Sequence, residues 1–153
     1  MELDKNDLAE ENRARRGIAQ LALKGFFGIA KRWRLTRLQA MNLLGLTATS
    51  TYANWKNCKP STIPRDTIER ISYLLKIDET LKKRFLTDSA VMNWLLTEND
   101  DLLPKAKAPL DKMLEGNVVD IYQVYSLMPK LLQQHEFAAH PHKGSRPSFT
   151  QLN

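Results

Sequence analysis

The sequence predicts an all-α protein, and three observations carry that reading. Apolar residues recur at three- and four-residue spacing along almost all of the 153 positions. The alternating β-branched runs that a half-buried strand needs are missing. The 7 prolines and 6 glycines are too sparse to build the turns of a sheet.

Each predicted element has a local cause. The first helix, about Asn12 to Trp33, carries Ile18, Leu21, Ala22, Phe26, Ile29 and Trp33 on one stripe, with Gly25 and Gly28 as a weak point where a bend is expected. Thr36 is a good N-cap for a short helix from Arg37 to Leu44 that turns Leu38, Met41 and Leu44 inward, and Gly45 stops it as a left-handed cap. Thr49 to Asn57 opens with hydroxyl residues and keeps Tyr52 and Trp55 on one face. After a turn around Pro60, Pro64 begins a helix with Ile68, Ile71, Leu74 and Leu75 apolar, and a shorter helix from Asp78 to Leu86 follows. Thr87 to Ala90 reads as a junction, and Val91, Trp94, Leu95 and Leu96 as a compact apolar turn. Pro109 starts a helix through Leu114, which Gly116-Asn117 ends. One last helix is expected from Val118 to about Gln134, with Val118, Ile121, Tyr122, Tyr125, Met128 and Leu132 as its stripe. From His135 the chain is polar and contains proline, the pattern of a mobile tail.

Charge divides the chain more informatively than it sums. Residues 1–11 carry a net −4, residues 12–86 hold 16 basic against 4 acidic side chains, and residues 87–153 carry −2. A strongly basic unit joined to a mildly acidic one is the footprint of a polyanion-binding module with something else attached, and nucleic acid is the leading polyanion. One cysteine, Cys58, excludes an internal disulfide framework and a multi-thiolate zinc site, and fits a reducing cytoplasm. No run is long and apolar enough to cross a bilayer.

Thr36 to Asn57 has the parts of a helix-turn-helix: two short helices, a tight corner, and inward apolar residues that fix the angle. Leu38, Met41, Leu44, Leu46, Tyr52 and Trp55 form the inner surface, with Tyr52 and Trp55 as core anchors and not base-stacking groups. Ser50, Thr51, Ala53, Asn54 and Lys56 are left facing out. The Asn54 amide can pair with adenine, while Ser50, Thr51 and Lys56 suit phosphates. Thr36, Arg37 and Gln39 stand where a helix N-terminus can approach a phosphate.

The run Leu43-Leu44-Gly45-Leu46, then Thr51-Tyr52, Trp55-Lys56, Ile68-Glu69-Arg70, Leu74-Leu75 and Ile77, resembles the helix-turn-helix half of the Xre/MbcA/ParS antitoxins. Trp94-Leu95, Asn99, Pro109-Leu110, Leu114, Gly116 and the helix after Val118 resemble that family's small toxin-binding domain. The resemblance implies a homodimeric cytoplasmic antitoxin that represses its own operon and neutralises a RES-type, NAD-consuming toxin or a related ADP-ribosylating one. It implies toxin contacts at Trp94, Leu95, Asn99, Pro109, Leu110, Tyr122 and Tyr125, with Lys143 or Arg146 of the tail presenting a cation to the toxin's cleft. The domain scheme is then a polar segment 1–11, a helix-turn-helix unit 12–86 for DNA binding and dimerisation, a toxin-binding unit 87–134 and a tail 135–153. A stand-alone transcription factor whose C-terminal half dimerises or senses a ligand is the alternative.

An enzyme is not expected. Glu98, Asp100 and Asp101 share a loop with no histidine, cysteine or nucleophilic serine at a working spacing, and there is no glycine-rich phosphate loop. His135, His140 and His142 lie close together, but no second cluster completes a metal shell, so no cofactor is expected.

Overall fold

The structure, a computed structural model, describes residues 4–57, 59, 62–100, 105 and 107–139, of which 135–139 are described in backbone only. The described residues form helices and turns, with no strand among them. The helices are α1 (Lys5–Arg32), α2 (Arg37–Leu44), α3 (Thr49–Lys56), α4 (Arg65–Arg84), α5 (Asp88–Leu96), α6 (Pro109–Met113), α7 (Val118–Tyr125) and α8 (Met128–Ala139). The all-α expectation holds.

α4 is the axis of the molecule. It packs against α1, α2, α5, α7 and α8. Its buried row Ile71, Leu74, Ile77 and Leu81 joins Leu23, Phe26, Ile29 and Trp33 of α1 to Ile121, Val124, Met128 and Leu131 of α7 and α8 in one apolar cluster. Burying each such side chain contributes about 1.5 to 3 kcal/mol, so this cluster dominates the stability. α1 and α4 run side by side in the same direction: Gly25 faces Leu75, and farther along both helices Trp33 reaches Asp78.

Several expectations are corrected. α1 begins at Lys5, seven residues before the predicted start, and continues through Gly25 and Gly28 as one helix. α1 passes close to α4 at Gly25: a Cβ at this position would lie 2.8 Å from a methyl of Leu75, whose exposed side chain would have to swing aside. The buried row of α1 is Ala19, Leu23, Phe26, Ile29 and Trp33, while Ile18 and Leu21 are exposed, because α4 lies against a face rotated from the predicted stripe. Leu38 also points outward.

The predicted break at Asp78 does not exist. α4 runs unbroken to Arg84, and Asp78 is a buried acceptor in mid-helix, not a cap. The predicted last helix is instead two. Pro129 has no N–H to donate and its ring would collide with the carbonyl of Tyr125, so α7 ends at Tyr125 and α8 starts again at Met128. The buried stripe becomes Ile121, Val124, Met128 and Leu131, leaving Tyr122 exposed. Helix also continues past Gln134, through Ala139, where a polar tail was expected.

Other local expectations match. Thr36 caps α2, Gly45 ends it at φ 75°, Pro109 opens α6, and Gly116 (φ 101°) and Asn117 separate α6 from α7.

Candidate functional site

The α2–α3 unit is set by its caps. The Gln39 N–H donates to the Thr36 hydroxyl at 3.1 Å, and the Thr36 N–H donates to the Gln39 side-chain oxygen at 2.9 Å, a reciprocal capping box. Gly45 then turns left-handed, the Leu46 N–H reaches back to the Met41 carbonyl at 2.8 Å, and the chain enters α3 at Ala48. Tyr52 and Trp55 are buried, with Tyr52 edge-on to Phe27 of α1 at 5.7 Å between ring centres. With those two rings inward, Ser50, Ala53, Asn54 and Lys56 are exposed and Thr51 is half-buried. Ser50, Ala53 and Asn54, at i, i+3 and i+4, share one exposed face. Arg37 is exposed at the start of α2, whereas the Thr36 hydroxyl and the Gln39 amide oxygen already serve the cap.

A buried arginine ties this unit to the C-terminal half. Arg70 of α4, 7% exposed, donates to the carbonyls of Asn42 and Leu43 at 3.4 and 3.5 Å, to the carbonyl of Gly116 at 2.9 Å, and to Asp66 at 2.8 Å. The Asn42 side-chain amide donates to the Leu114 carbonyl at 3.1 Å. The last turn of α2 is thus bolted to the α6–α7 corner at two points. Sequence reasoning missed both residues, because nothing local marks a mid-helix arginine as an interior hydrogen-bond hub.

The predicted partner-binding residues separate into two groups. Leu95, Pro109 and Leu110 are core residues and present no surface, and Trp94 and Asn99 are half-buried. Leu95, Pro109 and Leu110 hold α5 and α6 in place, while Trp94 and Asn99 keep part of their surface open. Tyr122 is 47% exposed and Tyr125 half-buried, and the two cluster with Tyr73 of α4 at 5.2 to 6.0 Å between ring centres. Lys76 lies over the Tyr125 ring at 5.4 Å. Burial, and then the hydrogen bond the Tyr73 phenol donates to Glu69, push that phenol above its ordinary pKa. An open cleft of ≈ 510 Å3 runs beside these rings, lined by Asp66, Glu69, Tyr73, Val118, Val119 and Tyr122. Lys143 and Arg146 lie outside the described residues, as do Cys58, Pro60, Asp101, His140, His142 and the side chain of His135.

Among the described residues no group of three His, Cys, Asp or Glu side chains is arranged to hold a metal, and no helix is long and apolar enough to cross a membrane.

The geometry is that of an all-helical protein presenting one polar helix face and one tyrosine-lined cleft. The chain belongs to the same family as the uncharacterized protein y4oB of Sinorhizobium fredii, with which it is 40% identical over 102 residues, covering 67% of this chain and 77% of that protein. No family model matches the chain, and no solved structure matches it.

Proposed function

We propose that this protein is a helix-turn-helix regulator of the antitoxin type: α3 reads operator DNA, and the α4–α7 face binds and neutralises a RES-type, NAD-degrading toxin or a related ADP-ribosylating one, in the cytoplasm. The observation that carries the reading is the sorting of α3, with Tyr52 and Trp55 buried while Ser50, Ala53, Asn54 and Lys56 stand free on a capped, left-handed corner. A recognition helix needs that division, since its anchors set the angle and its free polar face meets the base edges. The +12 of residues 12–86 supplies the attraction for phosphates.

The partner face moves from the predicted leucines to the tyrosines. Leu95 and Leu110 are too deep to touch a second protein, whereas Tyr73, Tyr122 and Val119 border an open cleft with Tyr125 packed against the two tyrosine rings, and aromatic side chains dominate binding energy at interfaces.

Two measurements on the full chain test the reading. Binding to fragments of its own promoter is expected to weaken by at least about tenfold between about 50 and 200 mM salt, as counterion release requires. In native cells the tagged chain is expected to recover a protein that consumes NAD, with the chain halting that consumption and Tyr122→Ala abolishing the recovery. If the chain shifts DNA but recovers no such protein, the antitoxin reading fails and a stand-alone transcription factor takes its place; salt-insensitive DNA binding removes both.

A further inference from the structure

The first turns of α1 carry the strongest unused feature of the molecule. Residues 4–18 are all exposed, because α4 starts at Arg65 and supports α1 only from Ala19 onward. Yet the projecting part is not a featureless polar helix. Leu8, Glu11, Arg15, Ile18 and Ala22 follow one another at alternating three- and four-residue steps, which places them on a single stripe, the spacing that two packed helices share. Leu8 is 44% and Ile18 59% exposed. Beside the stripe, where α1 passes the start of α4, lies a cavity of ≈ 430 Å3 with an apolar floor of Ile18, Ile63 and Ile68 and a rim of Arg15 and Arg16.

From this pattern we infer that a second copy of the same chain occupies the face, with the two α1 helices antiparallel and crossing at Arg13. That register sets Leu8 of each copy opposite Ile18 of the other, and Glu11 opposite Arg15, twice over by symmetry. It also carries Leu8 of the second copy into the mouth of the Ile18–Ile63–Ile68 cavity. The choice of occupant rests on charge: Asp4, Asp7, Glu10 and Glu11 against Lys5 give residues 4–11 a net −3, and the cavity rim they would meet is two arginines. A parallel pairing would instead set Glu11 against Glu11 and Arg15 against Arg15. The overlap from Asp4 to Ala22 is about 27 Å of helix, five turns. Within one chain Arg15 already holds Glu11 at 2.5 Å, but this is an exposed i,i+4 pair of little worth, free to be shared with the second copy. This pairing rests on the regulator reading only for its purpose, since two joined copies would present two α3 helices to DNA.

The experiment is sedimentation velocity on the full chain across a micromolar concentration series, without DNA or any partner protein. The wild type is expected to sediment as a dimer. Arg15→Glu, which faces Glu11 with a second carboxylate, and Glu11→Lys, which faces Arg15 with a second cation, are each expected to weaken association by at least about tenfold. An equimolar mixture of the two variants is expected to restore the dimer, because each mismatch is then complemented across the interface and not within a chain. Ile18→Asp gives a monomer on the same reading. Far-UV circular dichroism shows that every variant keeps the wild-type helical spectrum and a cooperative melt, a lower midpoint being expected where the dimer is lost; an Arg15 or Glu11 variant that loses either is replaced by its Arg15→Gln or Glu11→Gln counterpart, expected to weaken the dimer less. A monomeric wild type, a dimer untouched by charge reversal, or variants that fail to rescue each other overturns the pairing. A monomer that still binds its promoter fragment overturns the pairing and leaves the regulator reading standing; a rescued dimer that binds no DNA does the reverse.

Discussion

The indole N–H of Trp33 donates to a carboxylate oxygen of Asp78 at 3.0 Å, joining the last turn of α1 to the middle of α4 inside the core. The other carboxylate oxygen accepts from Arg32 at 2.5 Å and faces Lys82 at 3.5 Å. Trp33 is 1% and Asp78 3% exposed, so neither group can turn to water if the other is removed. Asp78→Ala leaves the buried indole N–H unmet and takes the partner from the part-exposed Arg32, and is expected to cost about 1 to 3 kcal/mol in chemical denaturation. Asp78→Asn keeps an acceptor for the indole and should cost less.

Gly45 makes a second case, in which two independent penalties meet. At φ 75° an L side chain is strained by about 1 to 2 kcal/mol, and a Cβ there would lie 3.0 Å from Nε and 3.1 Å from Cζ of Arg70. Arg70 has no freedom to withdraw while it holds Asp66 and the carbonyls of α2 and Gly116. Gly45→Ala is therefore expected to cost about 2 to 3 kcal/mol, and less in an Arg70→Met background, where only the backbone strain remains. A double-mutant cycle in thermal unfolding separates the two.

Those two sites also mark how far the sequence could be read. Thr36, Gly45, Pro109 and the Gly116-Asn117 corner were legible because capping is decided by residues within one turn of each other. Asp78 was not: it has the composition of a helix start, and its real role is fixed by Trp33, 45 positions away. The same distance problem hid the buried face of α1, since whether Ile18 is covered depends on where α4 begins. Pro129 was a readable signal that the apolar periodicity around it obscured. At the candidate site, the outward set of α3 was legible once Tyr52 and Trp55 were assigned inward. Of the residues read as partner contacts, Leu95 and Leu110 turn out to be core, because apolar residues carry the same pattern whether they meet the core or a partner.

On the proposed recognition helix, two exposed side chains should fail differently. Asn54→Ala removes an amide suited to adenine and is expected to cost about 1 to 3 kcal/mol of discrimination at one base pair, with little change in salt dependence. Lys56→Ala removes a charge and is expected to weaken all fragments alike and reduce the salt slope by about one. Titrations of a promoter fragment and of single-base variants, each at several salt concentrations, distinguish the two patterns.

Asp120 gives a prediction in pH. Burial alone pushes its carboxyl up, but the backbone N–H of Asn117 at 3.0 Å and the Lys112 ammonium at 3.1 Å outweigh this and hold it below the usual aspartate value. The folded state therefore holds this proton less tightly than the unfolded chain does. The stabilisation is fully present above the unfolded value of about 3.9 and is lost as pH falls through the lower folded value. Asp120→Asn removes the Lys112 pair and the titration together, so the variant is expected to unfold more easily than the wild type at neutral pH. The gap between the two is expected to stay constant down to about pH 5 and then to close as the wild-type carboxyl protonates. Urea midpoints measured for both proteins from neutral pH downward check it: a gap that widens on acidification would mean that Lys112 and Asn117 do not hold this carboxylate in its charged form.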